Sequence, residues 1–128
     1  MPAYDSDLFH PPAPVALVGL RDPGSGNTVN DVPMLIDTGS DISLVPRTSI
    51  DELELDIDPN VGYELQGFDG HSSLAQAVTL DVIFAKKIIR GKYVVVNSGM
   101  GILGRDVINH MAILLDGPRF NWQERNDS

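Results

Sequence analysis

Apolar residues in this chain come in short runs with a period of two, separated by clusters of glycine, proline, asparagine and aspartate. That pattern predicts many short β-strands rather than amphipathic helices. Val15 to Leu20 reads as a strand, Asp22-Pro23-Gly24-Ser25-Gly26-Asn27 as a hairpin loop, and the residues reaching Ile36 as the returning strand. A shorter apolar run, Ile42 to Val45, stops at Pro46, and the acidic stretch Asp51 to Asn60 predicts a surface loop or one helical turn. Gly62 to Phe68 and Ser72 to Phe84 flank Asp69-Gly70, a two-residue hairpin signal. In the second arm Leu74, Val78, Leu80, Val82 and Phe84 fall on one side, and Ala75, Ala77, Thr79 and Asp81 on the other, as in a half-buried strand. Lys86-Lys87 marks a turn, and Ile88 to Val96 a strand whose Tyr93 to Val96 is apolar enough to be central. Arg105 to Met111 is the one credible helix. A terminal hairpin closes the pattern, with arms Ala112 to Leu115 and Arg119 to Trp122 around Asp116-Gly117-Pro118. No repeat interrupts it, so the expectation is an all-β (mainly β) domain with one short helix.

Length and charge narrow the partners. At 128 residues the chain fits one domain with a conventional core. Pro11, Pro12 and Pro14 predict a flexible N-terminal arm over 1–14, leaving 15–123 as the folded domain and 124–128 as a disordered tail. A net charge of −9 opposes nucleic acid and anionic membrane surfaces as partners. The absence of cysteine removes thiol nucleophiles, disulfides and zinc-thiolate sites. Met1 to Pro14 has neither a basic nor an apolar signal region, and no stretch has the length of a membrane span, which makes a cytoplasmic location the default expectation. Within the arm, Leu8-Phe9-His10 is an apolar segment that a protease could cut.

Two strand ends carry the chemistry. Met34-Leu35-Ile36 runs into Asp37-Thr38-Gly39-Ser40-Asp41, placing a carboxylate at the exposed end of a buried strand before a tight loop. Gly101-Ile102-Leu103-Gly104-Arg105-Asp106 repeats the pattern of apolar strand and glycine turn late in the chain. In this order, around a hairpin, they resemble the retropepsin-like single-domain, homodimeric aspartic proteases, over roughly Val15 to Leu115. The resemblance implies a closed β-barrel of the acid-protease type with a flap hairpin and one short C-terminal helix. It implies an aspartic endopeptidase in which Asp37 of each of two chains flanks a water molecule, without cofactor or metal, acting on peptide or protein substrates at acidic pH. Only one Asp-Thr-Gly is present, so the second carboxylate has to come from a second copy.

The same resemblance assigns the neighbours. Thr38 bonds across the dimer axis, and Gly39 lets the backbone approach the carboxylates. Ser40 donates to the Asp37 carboxylate and so favours an acidic optimum. Asp41 and Arg105 form an ion pair tying the active-site loop to the late helix. Leu35, Ser40, Asp41, Ile42, Met100 and Ile102 line the substrate cleft, and Gly67, Phe68 and Asp69 belong to the flap tip. The charge of Asp69 and the scarcity of glycine there depart from retroviral flaps. The extra Pro118 to Trp122 arm looks like the C-terminal hairpin of the eukaryotic DNA-damage-inducible ubiquitin-shuttle proteases, which implies a dimer interface built by Leu114, Phe120 and Trp122.

Other readings are weaker. Gly99-Met100-Gly101-Ile102-Leu103-Gly104 spells the dinucleotide-binding fingerprint, but too little chain follows for the helix and parallel strand that motif needs. His10, His71 and His110 lack metal-ligand spacing, and no Gly-x-Ser-x-Gly turn supports a serine nucleophile. The alternative that stays open is a non-catalytic dimeric peptide-binding module of the same fold.

Overall fold

The computed structural model describes the backbone of residues 2–66 and 72–125, and their side chains outside 58–75. The strands are β1 (Tyr4–Asp5), β2 (Ala13–Arg21), β3 (Thr28–Ile36), β4 (Leu44–Pro46), β5 (Asp58–Gln66), β6 (Ser72–Phe84), β7 (Lys87–Val96), β8 (Gly101–Leu103), β9 (Ala112–Asp116) and β10 (Asn121–Arg125). Two short helices, α1 (Arg47–Leu53) and α2 (Arg105–Ile108), interrupt them. Neighbouring strands run β2-β3-β8-β4-β7-β6, and β6 returns to pair with β2, which closes a six-stranded barrel. Closure removes the free edges that an open sheet of this size would expose.

Two parallel pairings, β3 with β8 and β4 with β7, sit among antiparallel ones. They bring the ends of β3 and β8, distant in sequence, side by side: Leu35 is level with Ile102 and Ile36 with Leu103. The core is built by alternation. Met34 and Ile36 of β3, Val78, Leu80 and Val82 of β6, and Val45 and Leu103 are buried inside the barrel, while the residues between them look outward. The β6–β7 hairpin turns through Ala85 and Lys86, both at positive φ (53° and 65°), the mirror-image turn that suits strand twist.

Three features differ from the pattern-based expectation. Pro46 does not stop structure but opens α1, a seven-residue helix. Proline suits the start of a helix, where its missing N–H has no partner to lose, and Ile50 and Leu53 bury the inner face. The expected helix Arg105 to Met111 is the four-residue α2. Asp81, assigned by alternation to the outer side of β6, has no exposed surface, and Ala77 is 1% exposed. Arg21 of β2 and Arg90 of β7 flank Asp81 in register and lie over it. Arg21 donates from Nε (3.1 Å) and Nη2 (2.9 Å) to Oδ2, and Arg90 from Nε (2.9 Å) to Oδ1.

This triad sits on the strand pairing that closes the barrel. Its hydrogen bonds from Arg90 hold the Asp81 carboxyl below its ordinary range; burial opposes the shift, and Arg21 adds to it. A depressed folded-state value means stability that is complete above about pH 4 and is lost as pH falls through the lowered value. Asp81→Asn is therefore expected to cost about 1–3 kcal/mol at pH 6, the upper end being discounted because Arg90 is largely exposed. Urea unfolding at pH 6 and pH 3 checks this, with the gap to wild type narrowing in acid.

The segment expected as a loose arm carries β1, which pairs with the start of β2. Tyr4 donates its N–H to the Phe120 carbonyl (2.8 Å), and Trp122 donates its own to Pro2 (3.0 Å). The terminal hairpin β9–β10 forms a separate two-stranded sheet. Trp122 is buried within its own chain, its ring 5.7 Å from Phe84 and its Nε1 donating to the Val15 carbonyl (3.0 Å). It is thus part of the monomer's core and not free to face a partner. Leu114, Leu115 and Phe120 remain exposed. No helix among the described residues is long and apolar enough to cross a membrane.

Candidate active site

Asp37 follows directly on β3, whose last residue Ile36 is buried while Asp37 is half-buried. Its backbone N–H donates to the Leu103 carbonyl (3.0 Å), so the parallel β3–β8 ladder fixes where the carboxylate emerges. The loop then turns back on itself. Gly39 donates its N–H to Asp37 Oδ1 (3.0 Å), and Ser40 donates its N–H to the Asp37 carbonyl (3.2 Å). A carboxylate oxygen steadied by a backbone donor, with its remaining lone pairs toward solvent, is suited to holding water.

A second loop locks the first. Gly104, between β8 and α2, passes so close beneath that a Cβ placed on it would lie 2.4 Å from the Ile42 carbonyl oxygen and 2.9 Å from that of Ser40. Arg105 donates its backbone N–H to Ser40 (2.9 Å) and its Nη1 to the Thr38 carbonyl (2.6 Å), while its Nη2 pairs with Asp41 Oδ1. One guanidinium fork therefore grips the Asp37 loop at two points, which a lysine cannot do. Arg105→Lys is expected to leave the monomer fold within about 1 kcal/mol, the pair being exposed to solvent. If a second copy of this loop completes the site, the substitution should nevertheless lower activity at low protein concentration several-fold by loosening the loop. Activity measured against protein concentration checks this.

Ser40 does not serve Asp37. Its hydroxyl donates to the Ile42 carbonyl at 2.6 Å, and a hydroxyl has one proton to give. The loop curls tightly enough to bring that carbonyl nearer than the carboxylate. Ser40→Ala is accordingly expected to leave the pH dependence of activity in place, and an upward move of the pH profile would contradict this geometry.

The remaining site residues fall in two groups. Leu35 and Ile102 sit level on neighbouring strands, half-buried, with their fully buried neighbours Met34, Ile36 and Leu103 on the opposite face. Ile42 and Met100 are half-buried in the adjoining loops. The barrel wall thus carries an outward apolar strip beside Asp37. Thr38 is exposed at the loop tip, and Asp41 is largely exposed apart from its pairing. Gly67, Phe68 and Asp69 lie outside the described residues, between the paired ends Gln66 and Ser72 of the β5–β6 hairpin.

No protein-family model matches the chain. No curated protein sequence matches it either. Solved structures do. EIAV protease, in complex with the inhibitor HBY-793, superposes with a TM-score of 0.57 at 20% identity, covering 77% of this chain and 86% of that one. A retropepsin-like aspartic protease from Rickettsia conorii gives a TM-score of 0.57 at 15% identity, covering 90% of this chain and 82% of that one. The chain has the retropepsin-like fold.

Within this retropepsin-like fold one supporting contact escaped the sequence reading. Ser43, with no exposed surface, accepts from the Gly104 N–H (2.9 Å) and donates to Asp106 Oδ1 (2.6 Å), and Asp106 Oδ2 accepts from the Ser43 N–H (3.1 Å). The signal was a lone hydroxyl inside the apolar run Ile42 to Val45, since a buried hydroxyl has to find partners. The glycine fingerprint also finds its explanation here. Gly101 and Gly104 are pressed against the Leu44 and Ile42 backbones, and the hairpin β9–β10 follows α2 where a dinucleotide fold would need a parallel strand. Among the described residues no group of histidine, aspartate or glutamate is arranged to hold a metal ion.

Proposed function

We propose that this chain is an aspartic endopeptidase that works as a homodimer, cutting extended peptides between apolar residues at acidic pH. The observation that carries the reading is the Asp37 loop itself: a half-buried carboxylate at the end of a barrel strand, steadied by the Gly39 N–H and locked from below by Gly104 and Arg105. Its setting on a retropepsin-like fold adds support.

The chemistry requires two such loops. With two Asp37 side chains a few ångströms apart, repulsion between the charges makes the pair share one proton, a behaviour for which aspartic proteases are the standard example. The ionised member takes a proton from the bridging water as the water oxygen attacks the scissile carbonyl. The protonated member gives its proton to that carbonyl oxygen as it becomes tetrahedral. Collapse of the intermediate expels the amine, which leaves with a proton from the dyad. Rate therefore falls when both carboxyls are protonated and again when both are ionised.

Association and specificity follow from the surfaces. Leu114, Leu115 and Phe120 are exposed apolar residues on and beside the β9–β10 hairpin, and we assign this hairpin to the dimer contact. A charge of −9 on each chain opposes that contact at neutral pH, and acidification relieves it, so dimerisation and catalysis share a preference for acid. Leu35, Ile42, Met100 and Ile102 offer apolar walls to side chains flanking the cut, with the peptide held as an added strand. Incubation with an unfolded protein from pH 3 to 7, with new termini located by mass spectrometry, tests the reading. Cuts between apolar residues in acid support it. No cuts at any pH from a chain shown to be dimeric would favour a peptide-binding module instead.

A further inference from the structure

A cleft of about 680 Å³ opens between the N-terminal segment and the outer wall of the barrel, lined by residues of β1, β2, the end of β6 and β10. Asp37 and its loop are not among its lining residues. The volume is in the range of sites that hold ligands. Leu17, 63% exposed although it sits mid-strand in β2, forms one apolar wall and the half-buried Tyr4 another, over a floor of Phe84 and Trp122. Phe84 and Trp122 are buried and the Trp122 Nε1 is already committed to the Val15 carbonyl, so the floor is apolar and offers no free donor.

The polar lining has one sign. Asp5, Asp7 and Glu124 contribute carboxylates, and none of the lining residues is basic. Asp5 Oδ1 is engaged by the N–H groups of Asp7 and Leu8 (2.9 Å each), which fixes the loop and leaves Asp7 exposed at the rim. The exposed Leu17 and half-buried Tyr4 beside carboxylates of one sign favour a cation on an apolar stem. They disfavour anions, and a neutral apolar group would gain nothing from the rim. The net charge of −9 acts in the same direction at longer range.

We infer that this cleft is a binding site for a basic residue flanked by apolar ones in a peptide segment. It is separate from the catalytic loop and independent of whether that loop cuts. In a protease it would act as an anchoring site away from the scissile bond. A cationic side chain there is held by charge at the rim and by the apolar wall along its stem.

Trp122 is the chain's single tryptophan and lies buried in the floor of the site, so its emission reports a change in the cleft above it. The test uses the Asp37→Asn chain, which cannot consume the probe, titrated with the peptide acetyl-Leu-Arg-Leu-amide and with its counterpart carrying neutral citrulline in place of arginine. The expected result is a saturable change in emission with the arginine peptide, at least about five-fold weaker with citrulline and similarly weakened by Asp7→Asn with Glu124→Gln. Equal binding of the two peptides would overturn the inference, as would no saturable change up to millimolar concentration. Sedimentation under the same conditions adds a third reading: conversion of dimer to monomer by the peptide would mean that the cleft is covered by a second copy of the chain, which also overturns it.

Discussion

Asp37→Asn is expected to lower peptide cleavage by at least about 10³-fold while leaving folding and dimerisation intact. The separation of the two effects follows from the loop's construction. The backbone N–H of Asp37 bonds to Leu103, and the side-chain oxygen that accepts from Gly39 is matched by the amide oxygen of asparagine. What the amide cannot do is take a proton from water or share one with a partner carboxylate. Initial rates on an apolar peptide, with sedimentation and far-ultraviolet circular dichroism on the same samples, make the comparison. A variant that keeps a tenth of the activity would move the chemistry away from Asp37.

Gly104→Ala should be the most damaging glycine-to-alanine change among the described residues. Backbone conformation is not the reason, because Gly104 has φ −93° and ψ −175°, open to any residue. The obstacle is space: the added methyl would lie 2.4 Å from the Ile42 carbonyl oxygen and 2.6 Å from its carbonyl carbon, and backbone atoms there cannot swing aside as a side chain would. Overpacking of this kind costs about 1–3 kcal/mol where side chains can yield, and against backbone at least the upper figure is expected. Relief would push the Asp37 loop off α2, breaking the Gly104–Ser43 and Arg105–Ser40 bonds together. Gly99→Ala is the control, with nothing within 4 Å of its added carbon. Thermal unfolding of the two variants should show a large loss for Gly104→Ala and none for Gly99→Ala. Equal behaviour would mean that the two loops are not packed as described.

The contrast between these glycines shows how far the sequence could be read. Alternation located β3 because one of its faces is buried, the continuous apolar run Tyr93 to Val95 located β7 because both faces are covered there, and the turn signal Asp69-Gly70 between two extended runs located the β5–β6 pairing. Asp37 and Arg105 were legible because each stands where an apolar strand ends in a glycine-bearing turn. Ser40 was misplaced because the curl of the loop, which sequence does not show, turns its hydroxyl to the Ile42 carbonyl. Asp81 was misread because alternation along β6 cannot see arginines arriving from β2 and β7, which meet it only once the barrel closes. Helix α1 was underestimated because Pro46 marks a stop and a start equally well. Trp122 was placed in the dimer contact because a terminal aromatic looks available until the N-terminal segment and Phe84 are packed around it.

The central claim is that one active site is assembled from two copies of Asp37. Mixing wild-type and Asp37→Asn chains at constant total concentration, allowing subunits to exchange, and measuring peptide cleavage at acid pH tests it in a single series. If each site needs both carboxylates, activity falls as the square of the wild-type fraction. A fall in direct proportion to that fraction would mean that each chain carries a complete site, and would contradict the account.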